Sequence, residues 1–514
     1  MAPAMFIGGG AVIIFLLISV TIFHRRGRRK PRTTELPPSP PAIPIFGNMH
    51  QIGRLFHRSL AELSKKYGPI FLIHLGVVPA VIISSAEIAE QVLKNHDRSF
   101  ATRPSSAIIH YLSYGSRDLA FAPYGEYWRQ VRRICVLHLL SAKRVESFRQ
   151  VREEEVALLV AEIRAAAPSP VNFSEKMISV TNCIISRVAL GKKYCSQEEK
   201  GFGEMLKQLG GLLQSFTMKD CVPWLAFWDQ LGGLNARVNS CFKKFDGFLE
   251  QVVEDHAVDL NRRRSRGTHD ASSSSSKSAV DFVDILLSGN DDSEEGGEDF
   301  VLNRGSIKAI INMFIAGTDT LYNTLEWSMA ELISHPTSLK KAQDEIREAV
   351  GFKPNITEEE TAQMHYLKAA VKETLRLHPP FPMLVPREAR EDVKLHGYTI
   401  PAKTVVFINA WAIARDGEHW EKADEFWPER FLNNVDSRGQ DFHYIPFGGG
   451  RRGCPGISFS FATIVCALAN LLCYFDWEIE EERKEKVLDM SEFMDINVHK
   501  KFPLLLIAKP YIRD

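Results

Sequence analysis

The sequence predicts a mainly helical protein with a minor β part, arranged as one large domain behind a membrane anchor. Helical spacing of apolar residues dominates from about residue 126 onward, whereas β-rich runs are short and few. An uncharged apolar stretch occupies the N-terminus. The length of 514 residues suggests roughly three domains. No strong linker follows residue 50, however, and this favours a single large domain.

The composition is that of an ordinary globular protein, with 45% hydrophobic and 25% charged residues. The formal net charge is zero, so the chain has no general attraction for nucleic acid or anionic surfaces. The eight cysteines are scattered without a C-x-x-C pair, which excludes common zinc-ligand spacings and a disulfide scaffold.

The N-terminal stretch is predicted to be an uncleaved signal anchor. Residues 6–23 carry no charge over a length close to the minimum for a membrane span. Six basic residues follow before the first acid, Glu35, which is the reverse of the order in a cleavable signal peptide. We therefore expect an anchor at 1–23, a basic and proline-rich hinge at 24–44, and a cytosolic domain at 45–514.

The remaining elements follow from local spacing and turn residues. Residues 70–85 read as two strands around a Gly/Pro turn, and residues 86–96 as a helix. A Ser-rich loop (262–278) and an acidic loop (288–299) flank one short helix. Residues 393–415 and 501–510 are predicted to supply further strands.

The longest predicted helix starts after a cap at Ser306 and stops at Pro336. Its middle holds Gly317, Asp319 and Thr320 within an apolar stretch, although a mid-helix Gly costs up to ~1 kcal/mol and an unpaired buried Asp costs more. Such residues indicate a helix that opens a groove for a ligand and supplies proton donors there. The alternative is a packing glycine beside a solvated aspartate.

A second polar group lies on a helix that Pro379 ends. Glu373 and Arg376 are three positions apart and face the same side of that helix. A further arginine, Arg430, follows in the segment "FWPERF". A glutamate between two arginines would fix the helix to a loop in the core, whereas the alternative is a surface salt bridge of little value.

The segment "PFGGGRRGCPG" (446–456) frames Cys454 with glycines, an aromatic and Arg452. A thiolate is a strong soft ligand for iron, and it requires hydrogen-bond donors and protection from solvent. A glycine-rich loop lets backbone N–H groups approach the sulfur, and the helix beginning after Gly456 favours a thiolate. A structural cysteine in a turn is the alternative, but it leaves the surrounding pattern unexplained.

The pattern resembles F-x-x-G-x-R-x-C-x-G, the haem-binding signature of the cytochromes P-450. Other motifs of that family occur in family order, and the resemblance covers about residues 37–514. They are Glu373 with Arg376 as E-x-x-R, Arg430 as its third partner, residues 316–320 as the oxygen-activation motif, and Trp128 with Arg132 as W-x-x-x-R. The anchor and hinge are most similar to the plant microsomal type of specialised metabolism.

The resemblance implies a fold that holds haem between the long central helix and the cysteine-ligand loop. Cys454 would be the axial ligand of the iron in haem b, and Asp319 and Thr320 would be catalytic, relaying protons to dioxygen. The other residues implied to bind the haem are Arg452, Trp128, Arg132, Arg387, Phe447, Gly450, Gly456 and Ala316. Glu373, Arg376 and Arg430 would be structural. One departure is Leu321, where the family commonly has Thr or Ser.

The implied activity is a monooxygenase that inserts one oxygen atom from O2 into a hydrophobic small molecule. The implied pocket residues are Ile108, Ile109, Phe121, Met313, Leu384, Val385, Met494 and Ile496. Electrons would come from NADPH through a separate reductase at the endoplasmic reticulum membrane, docked by Arg129, Arg133 and Lys143 unless these are only a solvated face. Dehydration or rearrangement, for example of an oxime, is one alternative, and a haem sensor without turnover is another.

Overall fold

The computed structural model describes residues 35–194, 200–213, 217–265, 281–288, 302–315, 317–351, 353, 355–432, 441–480, 482, 484–494 and 497–512. The predicted anchor, most of the predicted hinge, and the bulk of the Ser-rich and acidic loops lie outside these residues. The described part is mainly helical with small sheets, as predicted.

The helices follow one another along most of the chain. They are α1 Phe56–Tyr67, α2 Ala86–Glu90, α3 Ala107–Leu112, α4 Glu126–Ile134, α5 Ala142–Ser147, α6 Arg149–Ala166, α7 Phe173–Leu190, α8 Lys200–Leu213, α9 Met218–Cys221, α10 Phe227–Leu231, α11 Leu234–Ser265, α12 Phe282–Ser288, α13 Arg304–Ile315, α14 Gly317–Ser334, α15 Pro336–Val350, α16 His365–Leu377, α17 Ala410–Ile413, α18 Ile457–Tyr474 and α19 Lys484–Val487.

The strands form small sheets at the edge of this helical body. They are β1 Ile70–Leu75, β2 Val78–Ile83, β3 Pro170–Asn172, β4 Arg387–Glu388, β5 Val393–Leu395, β6 Tyr398–Ile400, β7 Val405–Ile408, β8 Phe475–Glu478, β9 Glu492–Met494, β10 Val498–Lys500 and β11 Leu505–Pro510. The largest sheet has the order β1-β2-β7-β4, and others pair β3-β11-β8, β5-β6 and β9-β10.

The first hairpin differs from the predicted Gly/Pro turn. β1 and β2 join through Gly76 and Val77, whereas Pro79 lies inside β2 opposite His74. The N–H and C=O of His74 bond to the side chain and backbone of Asn48, at 2.8 and 2.7 Å. Because His74 needs no partner in β2, the missing donor of Pro79 breaks no ladder hydrogen bond.

The long predicted helix is described as α13 and α14, with residue 316 between them outside the described residues. The predicted cap at Ser306 is wrong. Asn303 caps the helix, because its Oδ1 accepts a hydrogen bond from the N–H of Ser306 at 2.9 Å and the helix begins at Arg304. Pro336 is the first residue of the next helix, where its missing N–H is tolerated.

The core lies where α14 packs against α7, α16 and α18. Trp327 and Leu325 of α14 are fully buried there, as is Leu468 of α18. Among the described residues, α18 alone has the length and apolarity of a membrane-crossing helix, but 67% of it is buried inside the protein. We therefore interpret α18 as a core helix. Cys454 lies three residues before the first residue of this helix, Ile457.

Candidate active site

The loop before α18 has a shape that only glycine permits at one position. Gly450 has φ +65, and a Cβ there would lie 2.1 Å from the carbonyl oxygen of Leu93. Farther along, the N–H of Cys454 donates to the carbonyl of Phe447 at 2.9 Å, which closes the loop. Phe447 in turn packs against Phe461 of α18, with ring centroids 5.9 Å apart. These contacts fix the position of the cysteine relative to the helix.

The sulfur of Cys454 lies within the protein but is not covered by it. The residue has an exposed surface, yet burial raises the pKa of its thiol, although the N–H of Gly456 and the charge of Arg132 lower it. The Gly456 N–H lies 3.4 Å from Sγ. Both observations hold if the side chain borders an internal space. A bound cation would deprotonate such a thiol outright.

Three buried arginines, Arg103, Arg387 and Arg452, lie close enough together for their charges to weaken protonation within the group. Burial lowers the pKa of Arg452 to about 9, and the charge of Arg387 adds to that effect. Burial, followed by Arg387 and Arg452, lowers the pKa of Arg103. Burial also lowers the pKa of Arg387, against the effect of Asp97. A site with this much unbalanced positive charge favours an anionic ligand.

The three guanidinium groups are held mainly by backbone carbonyls. Arg387 donates to Gly449 O at 2.8 Å and lies 3.3 Å from a carboxylate oxygen of Asp97. Arg103 donates to Ala120 O, Val385 O and Pro386 O at 2.8, 2.7 and 2.8 Å. Arg452 donates to Ala101 O, Leu119 O and Ala122 O. Carbonyls position the guanidinium groups without cancelling their charge.

Arg132 completes the group from the side of α4. It is partly buried and interacts electrostatically with Cys454, and burial lowers its pKa. The guanidinium of Arg132 has no hydrogen bond or ion pair within the described part of the chain. A guanidinium without a partner near the thiol is the feature expected of a site that binds a carboxylate.

These observations allow a test of the haem predicted from the sequence. The four arginines face two carboxylates, Asp97 and Asp118, which leaves at least two positive charges without a partner among the described residues. Haem carries two propionates and an iron that needs an axial ligand. The exposed thiol of Cys454 and the excess of positive charge fit this group.

Two predicted haem contacts have other partners in the structure. The indole N–H of Trp128 donates to Leu119 O at 2.9 Å, so its single proton is already bonded. The guanidinium of Arg452 lies over that indole ring, 4.1 Å from its centroid. Trp128 therefore supports Arg452 by a cation–π contact, and a propionate would have to displace Leu119 O to reach the indole.

The predicted catalytic residues lie at the start of α14. The hydroxyl of Thr320 donates to Gly317 O at 2.9 Å, and the hydroxyl of Thr324 donates to Thr320 O at 2.8 Å. Such back-bonding favours a bend in a helix. Asp319 faces α8, where a Cβ on Gly210 would lie 3.7 Å from its Oδ2. Leu321 is buried in the main core.

Ala316 and the side chain of Met313 lie outside the described residues, as does Ile496. The other predicted pocket residues are placed on several separate segments. Ile108 is buried, whereas Ile109, Phe121, Leu384, Val385 and Met494 are partly exposed. Leu384 has φ +49 and its Cδ1 lies 3.8 Å from a Cβ built on Gly448, which places it beside the cysteine loop.

The structure brings Glu373, Arg376 and Arg430 into one buried cluster. Arg376 donates two hydrogen bonds to the carboxylate of Glu373, both at 2.8 Å, and Arg430 donates a third at 3.0 Å. The N–H of Trp427 donates a fourth at 2.9 Å. Tyr444, which precedes the cysteine loop, donates its hydroxyl to the carbonyl of the residue before Glu373 at 2.9 Å. The cluster therefore joins α16 to two loops.

Arg103 and Asp97 were not predicted from the sequence. Asp97 accepts hydrogen bonds from Arg387 and from the backbone N–H of Arg451, across separations of 290 and 354 residues. Neither Arg103 nor Asp97 belongs to a motif. The only local signal is Pro104, which keeps Arg103 in an extended backbone and gives no indication of its partners.

The chain is similar to known proteins over nearly its whole length. A family model described as cytochrome P450 matches residues 37–504. Cytochrome P450 71A1 of Persea americana is 49% identical over 97% of this chain and 99% of its own. A phenylacetaldehyde oxime monooxygenase of Prunus mume is 45% identical over 97% of this chain and 93% of its own.

A solved zebra fish cytochrome P450, described as a structure with abiraterone, has a TM-score of 0.73 at 24% identity. It covers 90% of this chain and 100% of its own, and at this identity it shows the shared fold alone. The relatives named above are plant proteins of the same family. The chain therefore belongs to the cytochrome P450 family and is a haem-thiolate monooxygenase that receives its electrons from a reductase.

Proposed function

We propose that this protein inserts one oxygen atom from O2 into a hydrophobic small molecule of plant specialised metabolism, such as a terpenoid, an alkaloid or a phenolic. NADPH supplies the electrons through a separate NADPH–cytochrome P450 reductase. The observation that carries this proposal is the exposed thiol of Cys454, which interacts electrostatically with Arg132.

Bound haem supplies the redox chemistry that activates oxygen. The chain contributes the ligand, the charge and the protons. Cys454 would hold the iron, with its sulfur oriented by the Gly456 N–H. Arg132 and Arg387 would bind the propionates, while Arg452 and Arg103 add positive charge from positions fixed by carbonyls. These groups act by binding and orientation.

Proton delivery is assigned to Thr320 and Asp319. The hydroxyl of Thr320 is held by Gly317 O at 2.9 Å, so it is oriented before any ligand binds. Asp319 lies against α8 and is partly exposed. An acid that exchanges protons with water, next to an oriented alcohol, can pass a proton inward.

Apolar side chains support a hydrophobic substrate. Phe121, Ile109, Leu384 and Met494 are partly exposed and come from four different segments. A pocket with this lining binds its ligand mainly by burial of apolar surface. A second candidate is an oxime, because one relative is by name a phenylacetaldehyde oxime monooxygenase. In that case dehydration without net oxygen insertion is an alternative outcome.

Attachment to the endoplasmic reticulum membrane, with a single anchor at 1–23, has support from the described surface. Trp224, Phe227, Trp228 and Leu231 are all at least half exposed around α10. Aromatic and apolar side chains grouped in this way favour contact with a lipid interface. The cytosolic domain would then begin at residue 45, after the hinge.

Reductase docking is proposed for the basic surface of α4 and α5. Arg133 and Lys143 are exposed, whereas Arg129 is paired with Glu126. An acidic partner surface would compete with Glu126 for Arg129.

The reduced carbon monoxide difference spectrum of wild type and Cys454→Ser tests the cofactor assignment. We expect a strongly red-shifted Soret band that is absent in the variant. Identical spectra of wild type and Cys454→Ser would show that Cys454 is not the ligand. Product analysis with reductase, NADPH and ¹⁸O₂ then tests the reaction, because label in the product shows oxygen insertion and an unlabelled dehydrated product supports the oxime alternative.

A further inference from the structure

Three potential metal ligands meet on the surface near the cysteine loop. His419 belongs to the segment after α17, whereas Asp441 and His443 begin the segment that leads to Cys454. The two imidazole rings stack in parallel, with centroids 3.6 Å apart and an interplanar angle of 7°. One ligand atom from each of the three residues lies within 4.8 Å of the other two.

Asp441 sets the orientation of His443. Its Oδ1 accepts the backbone N–H of His443 at 2.9 Å and lies 3.1 Å from ring Nδ1. A proton on Nδ1 satisfies this contact, so Nε2 carries the free lone pair. A carboxylate behind a histidine in this way is the usual support for a metal ligand, since it fixes the tautomer and raises basicity.

His419 supplies the second free imidazole. Its ring nitrogens have no hydrogen-bond partner in the ranges that the structure describes. The side chain of His419 is exposed, so a cation can reach its ring nitrogens from solvent.

We propose that His419 and His443, supported by Asp441, form a binding site for a divalent transition-metal ion, with Zn²⁺ as the ion to test first. Imidazole nitrogens suit Zn²⁺, Ni²⁺ and Cu²⁺. Tetrahedral Zn²⁺ with Zn–N of about 2.0–2.1 Å needs ligand atoms about 3.4 Å apart. Because Asp441 holds the ring of His443, the exposed ring of His419 is the one that must rotate so that the two lone pairs converge on the ion.

A metal ion here would join two segments that already flank the Glu373 cluster. Trp420, adjacent to His419, lies under the guanidinium of Arg376 at 5.3 Å. Tyr444, adjacent to His443, packs against Phe431 at 4.8 Å. The bound ion would therefore stabilise the fold around the cysteine loop. This inference does not rest on the proposed substrate or reaction.

The test uses the haem-loaded full-length protein purified without a histidine tag and treated with EDTA. Titration calorimetry with Zn²⁺ measures the number of sites, and electron paramagnetic resonance with one equivalent of Cu²⁺ counts the nitrogen ligands. The variants are His419→Ala, His443→Ala and Asp441→Asn. The control is His396→Asn, which changes an exposed histidine at φ +48, a conformation that asparagine accepts.

We expect one Zn²⁺ site and two imidazole nitrogens on Cu²⁺ in wild type and in the control. Both histidine variants should lose the site, and Asp441→Asn should bind roughly 10-fold or more weakly. The carbon monoxide spectrum checks folding, and His419→Gln and His443→Gln replace any variant that fails it. Equal binding by wild type and a folded histidine variant would overturn the proposal, as would a Cu²⁺ spectrum with fewer than two nitrogens.

Discussion

Replacing Glu373 by Gln is the sharpest test of what holds the cysteine loop. The carboxylate is fully buried and accepts four hydrogen bonds, two from Arg376, one from Arg430 and one from the Trp427 N–H. Glutamine keeps the shape but removes the negative charge. Its NH₂ group also replaces one of the two carboxylate oxygens and faces the N–H donors that this oxygen accepted.

The expected loss of stability follows from the arginine charges that remain buried after the substitution. Arg376 is fully buried and Arg430 nearly so, and the carboxylate of Glu373 is the only one within 4 Å of either guanidinium in the described residues. Breaking a buried ion pair by removing one partner typically costs about 3–5 kcal/mol. Part of the Arg376 charge stays solvated by Ala414 O and Ala423 O, at 2.7 and 2.6 Å. We therefore expect a loss near the lower end of that range.

The assay compares thermal unfolding and the reduced carbon monoxide spectrum of wild type and E373Q. We expect a clear drop in Tm together with less thiolate-ligated haem, because α16 and the loop before Cys454 share this anchor. The matched control is E90Q, which removes an exposed pair with Lys94 and should leave both readouts unchanged. Equal Tm and spectrum in E373Q and E90Q would refute the reasoning.

Gly450→Ala should destabilise the protein by at least about 1–3 kcal/mol of backbone strain, because its Cβ would meet the Leu93 carbonyl at 2.1 Å. Gly247→Ala in α11 meets no atom and should leave Tm unchanged or raise it slightly in the same melt, because Ala is favoured over Gly inside a helix. Arg132→Gln should lose about 1.5–3 kcal/mol of haem affinity, measured by haem transfer to apomyoglobin. Burial raises the pKa of Glu326 to about 7 from 4.5, so wild-type stability should fall by up to roughly 3 kcal/mol as pH rises from 5 to 8. E326Q should lack that fall in paired melts, and parallel curves would contradict the assignment.

The sequence predicts the parts of the site that depend on neighbouring residues. The cysteine loop follows from glycines within a few positions of Cys454, and the Glu373–Arg376 pair follows from helical spacing. Their partners depend on contacts between distant segments. Asp97 and Arg387, for example, are 290 residues apart in the sequence, and no local pattern predicts their contact.

Errors at element boundaries had the same origin. Ser306 is a suitable cap by residue type. The helix begins earlier, however, at Arg304, and the side chain of Asn303 accepts a hydrogen bond from the N–H of Ser306. Pro79 looked like a turn residue until Asn48 proved to satisfy the strand opposite it. In both cases a competing hydrogen-bond partner decided the structure.

The choice of partners for the buried arginines has a further consequence. Arg103 and Arg452 bond to backbone carbonyls, which orient a guanidinium but leave its full charge. Burial, followed by the charge of Arg387, lowers the pKa of Arg452 to about 9, which is the direction expected of a buried cation without an anion beside it. The haem-free protein should therefore be less stable than the loaded protein, and sulfate should restore part of the difference. Sulfate also stabilises proteins generally, so the decisive comparison is its effect on haem-free against haem-loaded protein at equal ionic strength. A larger rise in Tm for the haem-free form means that the arginines await an anion, and equal rises would mean that the carbonyls alone satisfy them.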